Sequence, residues 1–388
     1  MTVHIPYGKH TFACELSDAA VLTSHVDQLR SPQSGLEIVR RAMAAPIDSL
    51  HLEELARGKR TCTVIVSDHT RPVPSRDILP PMLEELRRGN PEIDITLLVA
   101  NGFHRGTTRD ELRAKLGDDV FLHEKVVVHD CRDKDSNVKI GTLPSGAPLV
   151  IDRLAAETDL LVSEGFIEPH FFAGFSGGRK SVLPGICDQV TVLGNHCSRF
   201  IDSQYARTGI LRNNPLHRDM LAAAHMAKLA YIVNVVIDED KNPVAAFAGE
   251  MEQAHEAGCD FLSRYCEVRA APADIVITSN GGAPLDQNIY QCVKGLTAAE
   301  ASAKEGAVLI MCAGLADGHG GEGFYHNIAD NDPAEFERAC IDRPKDETLP
   351  DQWTSQIFAR ILAHHPVIMV TDLCDHQMLK DMHMTPVN

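Results

Sequence analysis

Residues 61–100 read TCTVIVSDHTRPVPSRDILPPMLEELRRGNPEIDITLLVA, and this stretch decides the fold. Residues 61–66 form a short, β-branched apolar run, the composition of a strand buried on both faces. The loop at 68–74, punctuated by Pro72 and Pro74, ends that strand. From 76 to 88 the apolar positions recur at helical spacing and stop at Gly89, and residues 93–100 (IDITLLVA) make a second buried strand. Strand, loop, helix and strand in that order form a β-α-β unit, which places its two strands parallel.

The pattern extends in both directions. After the loop NGFHRG (101–106), Thr107 or Thr108 opens a helix, with Glu111 placed as in a capping box. Strand-like runs return at 125–129, 159–163, 230–237, 274–278, 307–311 and 366–371. The expectation is an α/β protein of two domains, each a mostly parallel sheet flanked by helices. A long helical stretch ends near VRAAP (268–272), which puts the domains at 1–268 and 269–388.

Composition narrows the functions. Lys plus Arg total 37 against 54 Asp plus Glu, a net charge of -17. Such a field repels polyanions, so nucleic acid is not an expected partner. The N-terminus, MTVHIPYGKHTFACELSD, lacks a basic stretch followed by an apolar one, and no apolar run approaches the roughly 18 residues of a membrane span. A cytoplasmic location is expected. The eleven cysteines stand singly with no C-x-x-C pair, which suits reduced, buried thiols. Nineteen histidines make metal or proton chemistry worth seeking.

Ligands of open α/β sheets collect outside the carboxyl ends of the strands, so polar residues just after strands carry the candidates. Asp68, His69, Thr70 and Arg71 follow the first strand and offer an acceptor, a donor and a planar cation suited to phosphate or carboxylate. Read blandly, they are a surface turn with a local ion pair. His104 sits beside Gly102 after the second strand, where an imidazole can reach a ligand and serve as a general base; the bland alternative is a loop histidine with no task. Residues 164–185, EGFIEPHFFAGFSGGRKSVLPG, are too rich in Gly and Pro for regular structure and too apolar for a solvated loop. Within them, 174–181 nearly spells the phosphate loop G-x-x-x-x-G-K-[ST], with Arg179 where the last glycine should stand. His196 is a potential metal ligand, though one histidine is not a site. Gln287, Gln291 and Lys294 are spaced four and three apart, which puts them on one helix face, where Lys294 could receive an anion. Gly318–Gly323 (GHGGEG) fits G-x-G-x-x-G, but no second strand follows until residue 366, which disfavours a dinucleotide fold.

Together these segments resemble the nickel-dependent lactate racemase family. The matching motifs are D-x-x-R-P at 68–72, G-x-H-R at 102–105, H-x-x-A-G-x-S-G-G-x-K-x-x-x-P-G at 170–185, Q-x-x-K at 291–294 and the D-Q-W of 351–353. They run in the family's order along nearly the whole chain, and the longest is the most specific. The resemblance implies two α/β domains with the active site in the cleft. It also implies a nickel-pincer cofactor, a pyridinium mononucleotide with two sulfur-bearing arms, supplied by cofactor-synthesis enzymes. Lys180 would hold it covalently, and His196 would complete the nickel coordination. Asp68, His69, Thr70 and Arg71 would hold the mononucleotide, Arg71 also serving the substrate. His104 and His170 would be the paired acid and base. Gln291 and Lys294 would bind the carboxylate of a small anionic 2-hydroxy acid, and Trp353 would wall the pocket.

The reaction implied is racemisation or epimerisation of a 2-hydroxy acid by transient hydride transfer. A metal-binding protein without catalysis and a nicotinamide-dependent 2-hydroxy acid dehydrogenase are the competing readings. Asn101 and Phe103 flank the first histidine where many members carry small residues or Thr, so the Phe103 ring is expected to reshape the substrate end of the pocket.

Overall fold

The strands at Thr61–Ser67 and Asp94–Ala100 pair in parallel along their whole length, from Thr61 opposite Asp94 to Ser67 opposite Ala100. The computed structural model in which they sit describes all 388 residues, Met1–Asn388. They are the fourth and fifth strands of a six-stranded sheet ordered Pro243–Gly249, Leu229–Ile237, Leu160–Phe166, Thr61–Ser67, Asp94–Ala100, Lys125–Val128. Its neighbours are parallel except the outer pair, Leu229–Ile237 with Pro243–Gly249. Val64, Leu97, Val162 and Val233 are fully buried along the central strands, each worth about 1.5–3 kcal/mol of apolar burial. The expected helix after the first strand is Ser75–Gly89, and its Ile78, Leu79, Met82 and Leu86 are buried in the same core.

The chain divides into two compact units, and they are not the two continuous stretches of the sequence reading. The larger holds Ser24–Asn195 and Arg207–Glu267; the smaller joins Met1–Thr23 and His196–Ala206 to Val268–Asn388. Local pattern marks where elements begin and end, whereas this grouping is set by long-range packing. The smaller unit is built on a parallel sheet ordered Ala273–Ser279, Ala303–Cys312, Val367–Val370, Thr385–Val387. Its helices include Ile289–Glu300 and Gln352–His364. The N-terminal hairpin, Thr2–Tyr7 with His10–Glu15, belongs here because the buried Asp286 carboxylate accepts from both Gly8 N (2.7 Å) and Gly314 N (2.9 Å).

One local expectation changes. Gln287 lies in the turn before the helix, which begins at Ile289 behind the N-cap Asn288, so only Gln291 and Lys294 share it. The glycines of 318–323 serve their own chain: Gly318 O accepts from Ile289 N, and a Cβ on Gly320 would stand 2.6 Å from Asn288 Cγ. All eleven cysteines are free thiols. No helix is long and apolar enough to cross a membrane.

Candidate active site

The register that sets Ser67 opposite Ala100 brings the loops after those two strands side by side. Asp68, 1% exposed, accepts from His104 Nδ1 at 2.6 Å through Oδ2. Its Oδ1 accepts from the Thr70 hydroxyl (2.7 Å) and Thr70 N (3.1 Å). Thr70 Oγ1 in turn accepts from Arg71 (3.1 Å) and faces His104 Nδ1 at 3.3 Å. Burial alone would raise the Asp68 carboxyl. The hydrogen bond and charge of His104, with Thr70 and Arg71, outweigh it and hold the carboxyl below its usual range. His69 points elsewhere, its Nδ1 3.0 Å from Thr107 Oγ1, whose hydroxyl donates to Asn101.

The loop carrying these groups is clamped from beneath. The buried Glu164 accepts from Ser67 N (3.1 Å) and Ser75 Oγ (2.7 Å), while Lys115 donates to Arg71 O (3.0 Å). Burial pushes the Glu164 carboxyl up, partly opposed by Lys115, Ser75 and Ser67. Burial likewise pulls the Lys115 ammonium down against the attraction of Glu164 and Asp68. Thr108 closes the second loop with the expected capping box, Glu111 answering its backbone N–H. Asn101 is buried and ties that loop to Arg105 O, and the Phe103 ring lies under the Arg132 guanidinium at 5.4 Å.

Residues 164–185 fold as the end of strand Leu160–Phe166, the two-residue strand pair Pro169–His170 and Gly174–Phe175, and a 3₁₀ turn, Gly178–Ser181. Arg179, in the place where a phosphate loop has glycine, is fully buried and organises the turn from inside. Its guanidinium donates to Ala173 O (2.7 Å) and Phe175 O (2.8 Å). The glycines are consumed by the same packing: Gly177 and Gly178 have φ of +80° and +51°, and a Cβ on Gly178 would lie 2.6 Å from the His255 ring. The turn therefore does not offer the bare backbone that makes a phosphate cradle. It presents His170 and Lys180 against one ring: Phe172 is 4.5 Å from the His170 ring and 5.6 Å from Lys180 Nζ. His170 Nδ1 faces Phe172 N (3.5 Å) and Ala173 N (3.3 Å).

In the smaller unit, the buried His196 ring packs on Trp353 with centroids 5.0 Å apart. Gln352 donates to Ser198 Oγ and Gln356 to Ser198 O (3.2 Å), which fixes the His196–Ala206 segment to the start of helix Gln352–His364. Gln291 and Lys294 stand on helix Ile289–Glu300, whose N-cap Asn288 accepts from Gln291 N (3.0 Å). Nowhere do three or more His, Cys, Asp or Glu side chains gather in a geometry that would hold a metal ion.

Two sequence models of one family match, the lactate racemase N-terminal domain over residues 7–209 and the lactate racemase C-terminal domain over 268–388. The chain belongs to the lactate racemase family. It is an isomerase. The lactate racemase of Thermoanaerobacterium thermosaccharolyticum is 55% identical over 99% of this chain and 91% of its own length. That of Lactiplantibacillus plantarum is 54% identical over 99% and 92%. The apoprotein structure of the Thermoanaerobacterium lactate racemase superposes with a TM-score of 0.96, at 54% identity, covering 100% of this chain and 92% of that one. A Thermotoga maritima protein at 18% identity shares the fold with a TM-score of 0.66, covering 92% of each chain.

In this lactate racemase family member, sequence reasoning missed the link from Asp68 to His104, the clamp of Glu164 and Lys115, and the inward role of Arg179. The signal for the first was present in outline: an Asp after one strand and a His after its parallel neighbour are brought side by side by register. Glu164, Lys115 and Arg179 are interior polar residues whose partners are mostly backbone atoms, which leave no mark in the sequence.

Proposed function

We propose that this chain racemises lactate, or a closely related 2-hydroxy acid, by transient transfer of a hydride to a nickel-pincer pyridinium mononucleotide. The observation that carries the reading is the likeness over 99% of the chain to two lactate racemases. The donor set agrees with such a cofactor. A buried imidazole beside a tryptophan, away from any cluster of three or more His, Cys, Asp or Glu, suits a metal that would arrive with most of its ligands already supplied by the cofactor. His196 would supply the remaining nitrogen. Lys180 would form the covalent link, with Thr70 and Arg71 on the nucleotide side.

When bound, the group supplies an electrophilic ring carbon that takes up and returns a hydride. The protein's own residues handle the rest. Arg71, Gln291 and Lys294 bind and orient the carboxylate, local cations in a chain of net charge -17. Trp353 excludes water. His104 and His170 exchange the hydroxyl proton as hydride leaves the 2-carbon, giving a planar 2-oxo acid that can be reduced on either face. A cytoplasmic location beside the cofactor-synthesis enzymes is part of the same proposal.

The test is to express the chain with those enzymes and follow pure D- and pure L-lactate by chiral chromatography. Both should converge on the racemic mixture. Lys180→Ala should lose the mass adduct and the activity together. Racemisation of another 2-hydroxy acid in place of lactate would move the substrate; inertness toward all of them, with the adduct present, would sink the reading.

A further inference from the structure

The two histidines meet opposite kinds of neighbour. His104 Nδ1 is 2.6 Å from a carboxylate oxygen of Asp68 and 3.3 Å from Thr70 Oγ1. The Thr70 hydroxyl proton is already committed to Asp68 Oδ1, so toward the ring Thr70 can only accept. Both neighbours of Nδ1 are therefore acceptors. His170 Nδ1, by contrast, faces the backbone N–H groups of Phe172 and Ala173, which can only donate.

We propose that the two imidazoles are not interchangeable. Asp68 is the positioning residue that keeps the proton of His104 on Nδ1 and its Nε2 open as a base, while the turn after His170 keeps the proton of that ring on Nε2. This rests on the reading that both rings reach the substrate. It departs from the family-implied role of Asp68 as a residue that holds the nucleotide.

The chemical consequence is an asymmetry between enantiomers. A hydroxyl meeting His104 gives its proton to Nε2 directly, forming an imidazolium whose new charge lies against the buried Asp68 carboxylate. A hydroxyl meeting His170 finds Nε2 already protonated. Before it can be accepted there, that proton must leave to solvent and another must be taken up at Nδ1, facing two N–H donors. The same arrangement makes His170 the better hydrogen-bond donor to the oxo group of the intermediate.

Long-range ¹H–¹⁵N correlation spectra of histidine-labelled apoprotein read tautomers directly, with His104→Ala and His170→Ala identifying the signals. The expected result is an Nδ1–H tautomer for His104 and an Nε2–H tautomer for His170. Asp68→Asn should shift His104 toward Nε2–H, because an amide can donate to Nδ1. In loaded enzyme, Asp68→Asn should slow single-turnover oxidation of one enantiomer by ~10² to 10⁴-fold, as loss of an orienting aspartate does elsewhere, and leave the other within about threefold. His104 found as Nε2–H in the wild type, or equal slowing of both enantiomers in Asp68→Asn, overturns the inference. The expected tautomers in a protein that racemises no 2-hydroxy acid would uphold the ring assignment and remove the proposed function instead.

Discussion

The loops at 67–75 and 101–108 and the segment 164–185 each present one candidate imidazole, by opposite means. The first pair is polar and half exposed, and side chains do the holding: a carboxylate, a hydroxyl and a guanidinium form a chain from Arg71 through Thr70 and Asp68 to His104. The other is buried and apolar, and the backbone does the holding, gathered around a guanidinium that has carbonyls rather than a carboxylate for partners. A side-chain network can be edited one group at a time. A backbone turn wrapped around a buried cation stands or falls as a unit.

The hardest way to break that contrast is Arg179→Met. It would leave the carbonyls of Ala173 and Phe175 buried and unpaired, at about 1–3 kcal/mol each, so the loss should total about 2–6 kcal/mol in chemical denaturation. A variant losing under about 1 kcal/mol would mean the turn is held by its strand pair and not by the cation. Thr108→Ala acts on the other region and should cost about 1 kcal/mol through loss of the cap. In loaded enzyme the turnover of Thr108→Ala should stay within about twofold, because the Asp68 network does not pass through the cap. The smallest effect, absent at neutral pH, concerns His217. Burial first, and the charge of Arg179 second, pull its imidazole down to about 3. A lowered folded value means that the unfolded chain binds the extra proton. The contribution is therefore complete above the ordinary histidine value of about 6.5 and is lost as pH falls from there toward about 3. His217→Gln should flatten the stability profile across that interval and leave it unchanged above; an unaltered slope would show the ring to be open to water in the folded state.

The same contrast explains what could be read in advance. Residues 61–66 and 76–88 were legible because each element carries its own periodicity and its own stop, and the structure extends them only to Thr61–Ser67 and Ser75–Gly89. The Thr108 cap was legible because a capping box is local. His104 and Asp68 were visible as separate candidates, but their hydrogen bond depends on sheet register. Arg179 was seen as a fault in a phosphate-loop pattern. Its reason lies in carbonyl oxygens four and six residues away, which every sequence has. Glycines 177 and 178 were legible as unusual yet pointed to a ligand, whereas Asn234 and His255 fill the space beside them.

The bond from Gly8 N to Asp286 spans 278 residues. During synthesis the hairpin leaves the ribosome well before its partner. At about 5–20 residues per second the wait is on the order of 15 s to a minute. For that time the two-stranded sheet of Thr2–Tyr7 and His10–Glu15 lacks the unit it will pack against, and a two-stranded hairpin alone is marginal in water. The smaller unit is thus the last part of the nascent chain to mature. A holding chaperone acting on this protein would find its substrate at the first fifteen residues rather than in the large sheet, whose strands are all complete by Gly249.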